Sequence, residues 1–216
     1  MALSPAQRAF TDLLHQRAAL KFGDFTLKSG RKSPYFINTG CFNQGGDLER
    51  LGSAYAATIR ARFGDGVAVI FGPAYKGIPL ALATAQAYEK LVGRPVGWTY
   101  DRKEAKDHGD GGLFVGAPLT AGTSVVVVDD VITAGTALRE TVSKLKPTGV
   151  TLVGAVVSVD RQENGLFGKP ALQEIAEDLG LPVASIITIS EAVEHLLATK
   201  AMTTVDARRV RAHLGL

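Results

Sequence analysis

Apolar positions recur along this chain at two alternating periods. Ser4-Pro5 opens the first helical stretch with a hydroxyl cap and a proline at the first position, and Phe10, Leu13 and Leu14 follow at helical spacing. Two short extended pieces, residues 25–27 and 34–37, flank the polar turn Lys28-Ser29-Gly30-Arg31-Lys32. Asp47 is expected to cap a second helix that reaches about residue 62. A regular alternation then begins. Residues 67–71 form a continuous apolar run, followed by Gly72-Pro73 and a helix over 81–90. Residues 96–100 read as a strand, and Val125 to Val128 as four consecutive valines before a turn and a helix to about 146. Residues 151–159 are rich in β-branched side chains, 170–179 are helical, and 183–189 form a last strand. Two helices near 191–197 and 205–214 complete the series.

Continuous apolar strands alternating with amphipathic helices predict an α/β fold, a mainly parallel central sheet with helices on both faces. The expected organisation is one domain over 1–216 with a small N-terminal hood at about 1–45. In such sheets ligands sit outside the carboxyl ends of the strands, so the segments after Phe71, Tyr100, Val128 and Val159 are the places to search. Residues 101–112, DRKEAKDHGDGG, hold no large apolar side chain and three glycines, which predicts an exposed, mobile loop.

Composition narrows the class. The 216 residues are 46% hydrophobic and 21% charged, a globular balance with enough apolar material for a core. The formal net charge is +3, and no run of five or six basic residues marks a nucleic-acid tail. The single cysteine, Cys41, rules out an internal disulfide and gives no zinc spacing. No basic region followed by an apolar run marks a signal peptide, and no apolar stretch is long enough to span a membrane. The expected location is the cytoplasm, with neither nucleic acid nor membrane as a partner.

Chemistry concentrates at four strand ends and at one basic turn. In VVVVDDVITAGTA, Asp129 and Asp130 leave a buried strand together, on opposite sides of it. Paired ribose hydroxyls suit such carboxylates. Thr133, Ala134, Gly135 and Thr136 then open a helix, whose unpaired N–H groups suit a phosphate. A Walker-type loop is excluded, because no Lys-Ser or Lys-Thr pair follows the glycine. Arg102, Lys103, Lys106 and His108 sit in the 101–112 segment. They read as a lid over a highly charged group or as a solvated charged loop, and the interleaved Glu104 and Asp107 suit the second reading. In GPAYKGIPLA, Gly72 and Gly77 permit a close backbone approach to a ligand. Lys76 there precedes a helix start, unfavourable for the helix dipole and favourable for a diphosphate. In FTLKSGRKSPYFIN, Lys28, Arg31 and Lys32 stand beside Tyr35 and Phe36, which fits a flat anion, a nucleic acid or an exposed basic turn. Arg161, at the end of 151–159, is able to hold a carboxylate with two hydrogen bonds.

Together FTLKSGRKSPYF, FGPAYKGIP, RKEAKDHG, VVDDVITAGTA and VDRQENG resemble the bacterial orotate phosphoribosyltransferases over about residues 8–195. The resemblance implies a type I phosphoribosyltransferase fold and a pentosyltransferase activity in pyrimidine biosynthesis. Orotate and 5-phosphoribosyl 1-diphosphate would give orotidine 5′-monophosphate and diphosphate. It implies Mg²⁺ as cofactor, held mainly by substrate and water, with no dedicated protein cluster. Asp129, Asp130, Val131, Ile132, Thr133, Ala134, Gly135, Thr136 and Ala137 would hold the ribose and its 5-phosphate. Lys76, Arg102, Lys103, Lys106 and His108 would hold the diphosphate, with Tyr75 beside it. Lys28 would reach both substrates, Phe36 and Ile37 would flank the orotate ring, and Thr133 and Arg161 would bind it. Lys103, Lys106, His108, Asp129 and Asp130 would carry the catalysis. Ile37 stands where the family often has a second phenylalanine. The family also implies a homodimer in which loop 102–112 reaches into the neighbouring subunit's site.

Two rivals differ in chemistry. The nearest is a phosphoribosyltransferase for another base, such as a purine, but a purine has no carboxylate to satisfy Lys28 and Arg161. A non-catalytic regulator on the same fold, sensing the donor or binding RNA, does not need the loop cations.

Overall fold

The computed structural model describes residues 2–27, 30–106, 112–132, 135–165 and 167–216, with the side chains of 105 and 106 left aside. Helix α1, Pro5–Gln16, begins with a reciprocal capping box between Ser4 and Gln7, as the Ser-Pro start predicts. Strands β1, Leu20–Thr26, and β2, Lys32–Ile37, pair antiparallel as a separate two-stranded sheet. Helix α2, Gly45–Phe63, starts three residues earlier than expected, with Gln44 and not Asp47 at its N-cap. Asp47 lies in its first turn and accepts a hydrogen bond from Arg17 Nε at 2.7 Å, an acid near the positive end of the helix dipole.

The main sheet has the order β5-β4-β3-β6-β7-β8. Its strands are β3, Val69–Phe71, β4, Gly97–Lys106, β5, Gly112–Gly116, β6, Ser124–Asp129, β7, Thr151–Asp160, and β8, Val183–Thr188. All neighbours are parallel except β4 and β5. The intervening helices are α3, Gly77–Val92, α4, Thr136–Leu145, and α5, Ala171–Leu179. Helices α6, Ile189–Ala198, and α7, Thr204–Leu214, follow β8.

The continuous apolar strands serve two cores at once. Ile70, Val126, Val128 and Val156 face a core shared with α1, α2, α3, α6 and α7. Val69, Phe71, Val125, Val127, Ala155 and Val157 face a second core with α4 and α5. Neighbouring residues of one strand thus enter opposite layers, so the strand shows no polar alternation. No helix of the described residues is long and apolar enough to cross a membrane.

The expected loop over 101–112 is corrected. Strand β4 runs on to Lys106, β5 begins at Gly112, and Asp101 is buried at 3% exposure. Antiparallel pairing at the sheet edge satisfies the backbone without apolar side chains, which is why composition concealed it. Residues 107–111 lie outside the described residues.

Candidate active site

Strands β3 and β6 are neighbours at the middle of the sheet. The order runs from β3 to β4 on one side and from β6 to β7 on the other. Such a reversal opens a crevice beyond the carboxyl ends of the two strands. Both ends are loaded with charge. Lys76, at the N-cap position of α3, places Nζ 2.8 Å from Asp130 Oδ2. Thr39 Oγ1 donates to the same carboxylate oxygen at 3.0 Å.

Asp129 and Asp130 point apart, as strand alternation requires. The Asp130 N–H donates to Asp129 Oδ1 at 2.8 Å, and the Val131 N–H donates to Asp130 Oδ1 at 2.7 Å. Burial pushes the Asp129 carboxyl up to about 6, and the neighbouring Asp130 charge adds to this. The Asp130 N–H and the Lys76 charge act in the opposite direction. Beneath the pair, the Tyr55 hydroxyl donates to the Asp129 carbonyl at 2.7 Å. Burial, then the charges of Asp129 and Asp130, keep that phenol well above its ordinary range.

The chain then passes Val131 and Ile132 to Gly135, with Thr133 and Ala134 outside the described residues. Gly135 occupies the N-cap of α4 at φ +74°, with no side-chain cap. A Cβ there would lie 2.6 Å from Ile175 Cδ1, so the position requires glycine for space and for conformation. Thr136 and Ala137 form the first turn of α4, where helix N–H groups have no partner within the helix.

The loop after β3 is compact for its own reasons. A Cβ on Gly72 would lie 1.9 Å from the Gly77 carbonyl oxygen, so these glycines approach each other, where a ligand was the expected neighbour. The turn presents Tyr75 to solvent, and Lys103 Nζ lies 5.9 Å from its ring centroid. Arg102 Nη1 donates to the Gly112 carbonyl at 3.0 Å. Asp101 sits between them. Its Oδ1 accepts the Ala74 N–H at 2.8 Å, and its Oδ2 pairs with Lys144 of α4.

On the two-stranded β1–β2 sheet, Phe36 is half-exposed and stacks on Phe25, with centroids 5.6 Å apart. Ile37 turns its side chain into the core, leaving its backbone beside Phe36. Arg161 directly follows β7, with its guanidinium 4.7 Å above the Tyr35 ring and ion-paired to Glu163. Lys28 and His108 lie outside the described residues, as does the Lys106 side chain.

Five further residues bear on this crevice. Thr39, Tyr55, Lys144 and Glu163 meet it from distant parts of the chain, which no local pattern announces. Asp101 had a local signal, an acid directly after the strand expected over 96–100.

Comparison with known proteins agrees with this geometry. The family model for the phosphoribosyl transferase domain matches residues 42–169. The orotate phosphoribosyltransferase of Nitrosococcus oceani is 50% identical over 192 residues, covering 88% of this chain and 86% of that protein. Its counterpart in Acinetobacter baylyi is 47% identical and covers 94% of both chains. The crystal structure of the Francisella tularensis orotate phosphoribosyltransferase superposes with a TM-score of 0.81 at 36% identity, covering 94% of this chain and 96% of that one. Likeness in sequence and in fold thus extends over nearly the whole length, and the chain belongs to the orotate phosphoribosyltransferase family.

Proposed function

We propose that this chain transfers the phosphoribosyl group of 5-phosphoribosyl 1-diphosphate to orotate, giving orotidine 5′-monophosphate and diphosphate in pyrimidine biosynthesis. The observation that carries this reading is the meeting of Asp129, Asp130 and Lys76 at the strand-order reversal, one turn from the uncapped start of α4. Acids for ribose hydroxyls, amides for a phosphate and a cation for a diphosphate stand there in one crevice.

In the reaction the anomeric C–O bond breaks and its electron pair leaves with the diphosphate. The orotate ring N–H bond breaks as its electron pair forms the C–N bond at the same carbon, and the proton passes to the departing diphosphate or to water. No protein nucleophile takes part, so the protein contributes position and charge. Asp129 and Asp130 hold the ribose hydroxyls. Val131, Ile132, Thr133, Ala134, Gly135, Thr136 and Ala137 wrap the 5-phosphate. Lys76, Arg102, Lys103, Lys106 and His108, with Tyr75 alongside, stabilise the leaving diphosphate. Phe36 and the Ile37 backbone border the orotate ring, and Lys28, Thr133 and Arg161 bind its polar edge. Among the described residues no group of three or more His, Cys, Asp or Glu is arranged for a metal. The donors at hand are the Asp129 and Asp130 carboxylates, hard oxygens that fit Mg²⁺ completed by substrate and water. When bound, Mg²⁺ neutralises diphosphate oxygens.

The functional unit is a single cytoplasmic phosphoribosyltransferase domain with an N-terminal hood, acting as a homodimer. An exposed apolar face supports the dimer: Leu82 of α3 and Trp98 of β4 border one groove with Leu48, Pro79 and Val96. Strand β4 joins that face directly to Arg102 and Lys103. A second copy seated on Trp98 would receive these cations beside its own site.

The test is consumption of orotate by the folded protein supplied with 5-phosphoribosyl 1-diphosphate and Mg²⁺. Orotidine 5′-monophosphate and diphosphate should appear in equal amounts. No consumption by folded protein ends the proposal.

A further inference from the structure

The Arg161 side chain is buried, and one carboxylate determines which of its edges remains open. Glu163 Oε1 accepts from Arg161 Nε at 3.1 Å and from Nη2 at 2.5 Å. The same oxygen lies 2.9 Å from the Tyr35 hydroxyl, and Oε2 accepts from Arg31 Nη2 at 3.3 Å. The Tyr35 hydroxyl is also 3.0 Å from the Arg161 carbonyl, so its one proton serves both acceptors. The Tyr35 ring lies under the guanidinium, and the Glu163 carbonyl is anchored by the Ala171 N–H of α5 at 3.0 Å.

A guanidinium has five N–H groups in a fixed plane. Glu163 takes two of them, along the Nε edge. Among the described residues Nη1 has no hydrogen bond, yet it is not a buried unpartnered atom, so it keeps contact with solvent. The terminal edge is therefore the one left for a ligand, and its paired donors match a planar group with two acceptor oxygens. Glu163 does a second thing. Through Tyr35 and Arg31 it ties β2 and its preceding turn to the end of β7. Phe36 is the next residue of β2, so the ring-stacking wall and the guanidinium are held in one register.

We propose that Glu163 is a positioning residue for orotate: it fixes the Arg161 guanidinium with its terminal edge open and locks that edge relative to Phe36. This rests on the proposed reaction and deepens it. Glu163 touches Arg161 and the hood, with His213 Nε2 of α7 3.9 Å from its Oε1, and neither the diphosphate cations nor Asp129.

The test is initial-rate kinetics with orotate and 5-phosphoribosyl 1-diphosphate varied separately, in E163Q, E163D, R161A and E163Q/R161A. E163Q should raise KM for orotate roughly tenfold, while KM for the phosphoribosyl donor stays within about twofold. R161A should lose at least as much, and the double variant should be no worse than R161A, because both changes remove one grip. E163D keeps the charge one methylene short of the guanidinium and should show the same selective rise; it decides the matter if E163Q does not fold. An unchanged orotate KM in folded E163Q or E163D overturns the proposal. So does an equal loss for both substrates, or a double variant whose losses multiply. A wild-type protein that consumes no orotate defeats the proposed reaction itself, and this inference falls with it. An active wild type with a normal E163Q defeats only the inference.

Discussion

At neutral pH Asp129 is an anion in a place that resists charge. Its carboxyl titrates at about 6 against 3.8 for the ordinary group, chiefly through burial. Between those values the folded protein binds more protons than the unfolded chain. The sign follows: stability falls as pH rises from about 4 to about 6, and a constant penalty of roughly 2–3 kcal/mol at most remains above that range. Ribose hydroxyls donating to the carboxylate would offset this, because they favour the ionised form. Binding of 5-phosphoribosyl 1-diphosphate should therefore tighten as pH rises through 6, by more than ionisation of the ligand's own phosphates explains. Calorimetric titrations at pH 5 and pH 8 on the wild type and Asp129→Asn check this. An identical pH dependence in the two proteins removes Asp129 as the cause. Asp130 differs, since Lys76 and Thr39 already occupy one of its oxygens. The sequence announced both acids, because two carboxylates directly after four valines have few structural uses. It did not announce Thr39, which lies 91 residues from its partner.

Among the elements, β4 links two other parts of the site. Its Asp101 bonds the turn before α3 through Ala74 and holds α4 through Lys144. Asp101→Ala strands a backbone N–H that now has a buried acceptor, at about 1–3 kcal/mol, or a fall in Tm of roughly 2–12 °C for a chain of this size. Lys144 is partly exposed, so losing that ion pair adds little. Asp101→Asn keeps an acceptor for Ala74 and should lose less than half as much. Thermal unfolding of the two variants decides, and equal losses would mean that the ion pair matters and the Ala74 bond does not. Strands β3, β6, β7 and β8 were legible from their apolar runs. Strand β5 was not, because Gly112 to Gly116 is five residues bounded by glycines, with nothing buried. The far half of β4 was hidden for a related reason. A strand paired at a sheet edge needs backbone partners more than apolar side chains.

For the whole molecule, the sheet order brings the ends of β3, β6 and β7 to one rim, and the β1–β2 sheet joins that rim through Glu163 and Tyr35. The parallel sheet and the crevice were legible, because periodicity and the strand-end rule act over short stretches. The attachment of the β1–β2 sheet was not, because Tyr35 and Glu163 are 128 residues apart and meet only after folding. If Lys106 acts in the neighbouring site, Asp129→Asn and Lys106→Ala should each be nearly inactive, yet complement one another. After subunit exchange about half the dimers are mixed, each with one intact site, so about a quarter of wild-type activity should return. A mixture that stays dead after exchange has been demonstrated means that the lysine serves its own subunit.

Strand β4 has a consequence for how such a chain is able to vary over evolution. Thr99 and Asp101 point inward, while Trp98 and Tyr100 stack on the outer side, 6.2 Å apart. One residue inserted ahead of Thr99 would exchange these two sets, placing Tyr100 in the core and Asp101 in water. The same slip would detach Ala74 and Lys144 and displace the cations beyond. Descendants of this chain can change the identities of residues 98–101 one at a time, but they inherit the length of that segment as a fixed measure.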